Sequence, residues 1–219
     1  MEPVSHRRQE LSPVLAVVKD EQDQDLAVDS RRAGADASIS DADLVVAAAD
    51  GDRWARDALY RRYARSLGGA ATRLLGTRQD VDDIVHDTFL RAFQKLSTLR
   101  EPQRFRPWLF AIATTQVRML LRRRRLRSFV GLHIVEDASL ERLAAKDLDA
   151  EARLELKELD RALKTLSADQ RIAWMLRHVE GHTLEETAIE CGCSLATIKR
   201  RLRSASQEID RARVTSEST

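Results

Sequence analysis

Residues 183–205 read TLEETAIECGCSLATIKRRLRSA. Thr183 and Glu186 are spaced as a capping box, in which each side chain satisfies a backbone N–H of the other at the start of a helix. Leu184, Ala188 and Cys191 then recur at helical spacing, and Gly192 can adopt the left-handed backbone conformation of a tight turn without steric cost. Ser194 caps a second segment that carries Lys199, Arg200, Arg201 and Arg203. At about 100° per residue, Leu195, Ile198, Leu202, Ala205 and Ile209 share one narrow arc. Ala196, Arg200, Arg203 and Gln207 point the opposite way, with Lys199 flanking them. A capped helix, a glycine turn and a helix with one apolar and one cationic face are the grammar of a helix-turn-helix whose second helix reads a major groove.

The two cysteines of this stretch invite a second reading. With His178 and His182 they offer two thiolates and two imidazoles, enough in principle for a tetrahedral zinc site. Cys191, however, continues the apolar spacing of Leu184 and Ala188, so burial explains it without a ligand. A cationic helix facing an acidic partner is therefore preferred, and no metal or other cofactor is expected.

Composition supports a helical chain. Of 219 residues, 5% are aromatic, with 8 glycines and 4 prolines, fewer turn formers and aromatics than sheet proteins usually need. The formal net charge of +2 names no partner by itself, so the clusters have to be read. Two cysteines one residue apart exclude a disulfide framework and suggest a reducing, cytoplasmic setting. Arg7 and Arg8 precede LSPVLAVV, but Glu10 interrupts and KDEQDQD follows where a signal peptide would have a cleavage site. No apolar run approaches the roughly 20 residues of a membrane span, so no direct membrane insertion is expected.

Working outward, the expected architecture is all-α: two small helical domains joined by a flexible linker, the second a helix-turn-helix domain. Residues 1–39 form a polar, acidic tail. The first domain, 40–127, begins with Ser40 and Asp43 as a capping pair and Asp52 as a second cap. Apolar faces follow at Ala55, Leu59, Tyr63, Leu67 and Leu74, and at Ile84, Val85, Phe89 and Ala92. Residues 97–106 read as a loop, with Pro107 as the first residue of a fourth helix. That helix ends in Arg118, Arg122, Arg123, Arg124, Arg125 and Arg127, more cations than a helix dipole calls for and well suited to phosphates. A linker occupies 128–149, the second domain 150–212 and a flexible C-terminus 213–219. In the second domain Leu156, Leu159, Leu163 and Leu166 line one face, and Ser167 with Gln170 forms another capping box.

Four blocks in order, AADGDRWARDALYRRYARSL, DVDDIVHDTFLRAFQKL, FRPWLFAIATTQVRMLLRRRR and LSADQRIAWMLRHVEGHTLEETAIECGCSLATIKRRLRSA, resemble regions two and four of extracytoplasmic-function sigma factors of bacterial RNA polymerase. The resemblance covers about residues 41–210. It implies a factor that binds the RNA polymerase core and promoter DNA, with an anti-sigma factor as regulator. Asp83, His86 and Asp87 fall where the family docks on the polymerase clamp. Arg118, Arg122 and Arg123 fall where the downstream promoter element is read and melted, and residues 97–106 where a flipped base is captured. Ala196, Thr197, Lys199, Arg200 and Arg203 fall on the helix that reads the upstream element. His86, Thr115 and Met119 depart from the family's common glutamine, asparagine and aspartate.

No nucleophile–base pair, P-loop or dinucleotide fingerprint stands in the sequence, so no enzymatic chemistry is expected. A stand-alone helix-turn-helix regulator binding an operator would account for the final helices and leave the first domain without a role. A metal-dependent enzyme built on the His and Cys set would explain neither basic cluster.

Overall fold

The computed structural model describes residues 39–129 and 150–216, which are helical with short connections. All but Ile39 of the expected tail, almost all of the expected linker and the last residues of the C-terminus lie outside the described residues. In chain order the helices are α1 (Asp41–Ala49), α2 (Arg53–Leu75), α3 (Val81–Lys95), α4 (Phe105–Phe129), α5 (Ala150–Thr165), α6 (Ala168–His178), α7 (Leu184–Cys191) and α8 (Leu195–Ser216).

The starts of these helices follow side-chain chemistry. The Ser40 hydroxyl accepts from the Asp43 N–H at 3.2 Å, and the Asp52 carboxylate accepts from Trp54 and Ala55 at 2.8 and 3.3 Å. Ser167 with Gln170 and Thr183 with Glu186 both close reciprocal capping boxes. α2 ends where Gly76 turns left-handed, at φ 73°.

In the first domain α1 packs on α2, and α2, α3 and α4 pack on one another. Leu44, Leu59, Leu67, Phe105 and Leu109 are the large side chains at its centre. The Tyr63 hydroxyl donates to Asp41, which also pairs with Arg62, so α1 is fixed to the middle of α2 by polar contacts as well as packing. In the second domain α5, α6 and α7 surround α8, around Leu156, Leu159, Leu163, Ile172, Met175 and Ile198.

Two expectations are corrected. Residues 97–106 are not an open loop: 3₁₀ turns occupy Leu96–Thr98 and Pro102–Arg104, and the second runs directly into α4. Leu96 and Phe105 are buried and draw both ends of the segment onto the core. Pro107 is accordingly the third residue of α4 rather than its first. The position remains tolerable because the opening N–H groups of a helix have no intrahelical partner.

The domains also pack against each other. α4 contacts α7 as extensively as α1 contacts α2, and it touches α6 as well. Their buried side chains form one continuous apolar cluster.

Candidate nucleic-acid and polymerase interfaces

The helix-turn-helix is built as its residues require. Gly192 sits at φ 62° and ψ 41°, and the Cys193 N–H donates back to the Ala188 carbonyl at 3.1 Å, closing the end of α7. Ser194 then accepts from the Thr197 N–H at 3.3 Å and starts α8. Ile198, Ala205 and Ile209 are buried. Ala196, Lys199, Arg200, Arg203 and Gln207 are exposed, and Thr197 is half-buried with its hydroxyl 3.0 Å from that of Ser194.

Arg201 is the exception among the cations of α8. It turns inward, 3.2 Å from the Asp169 carboxylate, and donates to the Cys193 sulfur at 3.4 Å. It holds α8 to α6, beside Gln170, which donates to Ser204 and Glu208. The cationic face is thus Lys199, Arg200 and Arg203, without Arg201.

The arginines of α4 divide in the same way. Arg118 lies 3.0 Å from Asp169 and donates to the Cys191 carbonyl at 2.9 Å. Arg122 donates to the other Asp169 oxygen at 2.5 Å, although its side chain remains 60% exposed. Arg124 reaches Asp80 at 2.7 Å, and Arg125 the Leu166 carbonyl at 3.1 Å. Arg123 and Arg127 face solvent. Burial pushes the Asp169 carboxyl up, but the Arg122 hydrogen bond and the charges of Arg201, Arg122 and Arg118 outweigh it and hold the group below its ordinary range.

The acidic helix α3 presents Asp83, His86 and Asp87 together on an exposed face. Leu90, one turn further along the same face, is 50% exposed. The sequence reading passed over Leu90, although its spacing from Asp83 and Asp87 places it there. Asp80 does not belong to this face. It stands at φ 65°, the one positive φ outside glycine among the described residues, with its carboxylate on Arg124.

The cysteines follow burial. Cys191 is 4% exposed and its thiol is pushed up to about 12, by burial first and by the neighbouring Cys193 second. His178 stacks on Trp174, and His182 lies 3.7 Å from Glu190. Among the described residues no group of three or more His, Cys, Asp or Glu side chains is placed to hold a metal ion.

Asp169 is a second residue that sequence reasoning missed. Its position beside the Ser167 cap gives an acidic side chain an ordinary role at a helix N-terminus. Nothing local shows that arginines from two other helices converge on it.

Two segments of the chain match models of known families: Sigma-70 region 2 over residues 59–127 and Sigma-70, region 4 over residues 156–209. RNA polymerase sigma factor NccH of Alcaligenes xylosoxydans xylosoxydans is 35% identical over 169 residues, covering 76% of this chain and 90% of that protein. The ECF RNA polymerase sigma factor EcfG of Rhodopseudomonas palustris is 34% identical over 153 residues, covering 68% and 76%. The chain belongs to the sigma-70 family and is an RNA polymerase sigma factor of the ECF type. In fold, the sigma factor resembles CnrH of Cupriavidus metallidurans, solved in complex with the cytosolic domain of CnrY. That likeness has a TM-score of 0.52 at 26% identity and covers 78% of the sigma factor and 95% of the solved chain. Among the described residues no helix is long and apolar enough to cross a membrane.

Proposed function

We propose that the sigma factor docks on core polymerase through Asp83, His86 and Asp87 of α3 and directs initiation at promoters whose two elements it reads with separate helices. Arg118, Arg122 and Arg123 of α4 serve the downstream element, and Ala196, Thr197, Lys199, Arg200 and Arg203 of α8 the upstream one. The observation that carries the reading is the clean division of α8: its apolar arc is built into the domain core while Lys199, Arg200 and Arg203 are exposed together. An exposed cationic face on the second helix of a helix-turn-helix suits a major groove lined by phosphates.

The factor acts in the cytoplasm, supplying recognition while polymerase supplies the catalysis. An anti-sigma protein is its proposed regulator, a reading supported by CnrH having been solved with a second protein, the cytosolic domain of CnrY, bound to it. Run-off transcription with purified core polymerase on candidate promoters tests the reading. Transcripts that require this chain are expected; tight operator binding without polymerase, and no transcripts, would favour a stand-alone regulator.

A further inference from the structure

We infer that a groove between the start of α2 and the end of α3 is the docking surface for the chain's own N-terminal segment, residues 11–25. Arg53, Trp54, Arg56, Asp57, Tyr60 and Phe93 line the groove. Trp54 is 48% and Tyr60 40% exposed, so ring surface that a folded domain usually covers is left to solvent. The groove is held in shape from behind. Tyr60 packs on Phe89 with ring centroids 4.7 Å apart, and Phe89 on Phe93 at 5.7 Å. The Arg56 guanidinium lies 5.8 Å from the centroid of the Phe93 ring while its Nε donates to the Ala48 carbonyl at 3.0 Å. Asp57 is matched by Arg61 at 2.9 Å, so Arg53 and Arg56 set the sign of the groove. A preformed apolar surface flanked by cations suits an apolar segment with acidic groups beside it, because the groove itself has little order left to lose.

Residues 11–25, LSPVLAVVKDEQDQD, have that chemistry. Leu11, Val14, Leu15 and Val18 are spaced as one stripe of a helix with Pro13 within its first turn, and Asp20, Glu21, Asp23 and Asp25 follow. The segment is also tethered within reach. The Ile39 carbonyl accepts from Arg62 at 3.1 Å, so the chain enters the first domain beside α2, two residues beyond Tyr60. From Arg62 back to Arg53 is about 14 Å along the helix, whereas residues 26–38 can span about 40 Å. Charge excludes the neighbouring face of α3, where Asp83 and Asp87 repel the segment's carboxylates. Tethering supplies the segment at on the order of 1 mM, so even a contact with a Kd of about 0.1 mM covers the groove in about nine molecules of ten. Phe93 is one turn from Leu90, and the docked segment therefore borders the face through which α3 is proposed to meet core polymerase. The segment and polymerase compete for this side of the domain.

The competition rests on that proposed role of α3; the groove contact does not. The experiment uses the full chain and reads acrylamide quenching of tryptophan fluorescence. Of the three tryptophans Trp54 is the exposed one, Trp108 being half-buried and Trp174 buried. Leu11→Asp with Leu15→Asp, and separately Asp20→Lys with Asp23→Lys, are expected to increase the quenching constant while the helical fold persists by circular dichroism. In a Trp54→Phe background that difference should vanish. Both pairs of substitutions should also tighten binding to immobilised core polymerase about tenfold, the gain when the uncovered fraction rises from about a tenth towards one. Equal quenching in wild type and variants overturns the docking, as does a difference that survives Trp54→Phe. Protection of Trp54 that grows with protein concentration assigns the groove to a second copy of the chain and overturns it too. Raised quenching without tighter polymerase binding keeps the docking and overturns the competition. Failure of every form to bind polymerase removes the core-docking reading instead, and quenching still decides what covers the groove.

Discussion

Glu190 is 3% exposed and lies 3.7 Å from the His182 Nδ1. Burial raises its pKa from 4.5 to about 7; the charge of Arg106 opposes the shift, and Glu180 and Glu186 add to it. Between those pH values the folded chain holds a proton that the unfolded chain has lost, so stability falls as pH rises through the window and the loss is complete above it. Glu190→Gln should remove this slope and, at pH 8, raise the unfolding free energy by roughly 2–3 kcal/mol, checked by urea melts across the window. Asp169 has the opposite sense: its lowered carboxyl supports the fold above the ordinary carboxylate range, and that support disappears as pH falls. On α8, Arg200→Ala or Arg203→Ala should cost about 1–3 kcal/mol and relax base preference in the upstream element where the side chain grips guanine in two places. Loss of a phosphate contact would weaken all sequences alike and lower the salt slope by about one unit. Binding titrations on matched and altered elements at several salt concentrations separate these outcomes, and the arginine pair replaced together with no loss of affinity removes α8 from the interface.

At the scale of the element, the caps and apolar arcs were legible because each depends on residues within a turn or two of one another. Thr183, Glu186, Gly192 and Ser194 do in the structure what their spacing demands. Gly192 isolates one part of that demand, since a Cβ there would meet nothing within 4 Å while its φ is +62°. Gly192→Ala should therefore cost about 1–2 kcal/mol through backbone strain alone, seen as a lower unfolding midpoint with packing unchanged. Residues 97–106 were less legible. Short 3₁₀ turns have little periodicity of their own, and these are set by the burial of Leu96 and Phe105 against helices distant in sequence. The left-handed backbone of Asp80 was hidden for the same reason, because its carboxylate is fixed by Arg124 of α4.

For the whole molecule, the exposed acidic face of α3 has little to do with folding. Charge reversal, Asp83→Lys with Asp87→Lys, should leave helix content intact and reduce capture by immobilised core polymerase at least tenfold, a loss of about 1.4 kcal/mol or more. Undiminished capture removes α3 from that contact. The sequence by itself determined the helical class, the capped helix-turn-helix and the outward face of α8, since these follow from residue spacing and side-chain chemistry acting over a few residues. Only the tertiary structure decided which cations were free to meet a partner. Arg118, Arg122, Arg124, Arg125 and Arg201 look alike along the chain, yet each is taken by an acceptor from another part of the fold. Such pairing depends on how α4, α6, α7 and α8 pack. That packing brings Arg118 to Asp169, far apart in sequence, because continuous burial of apolar surface across both domains places their helices side by side.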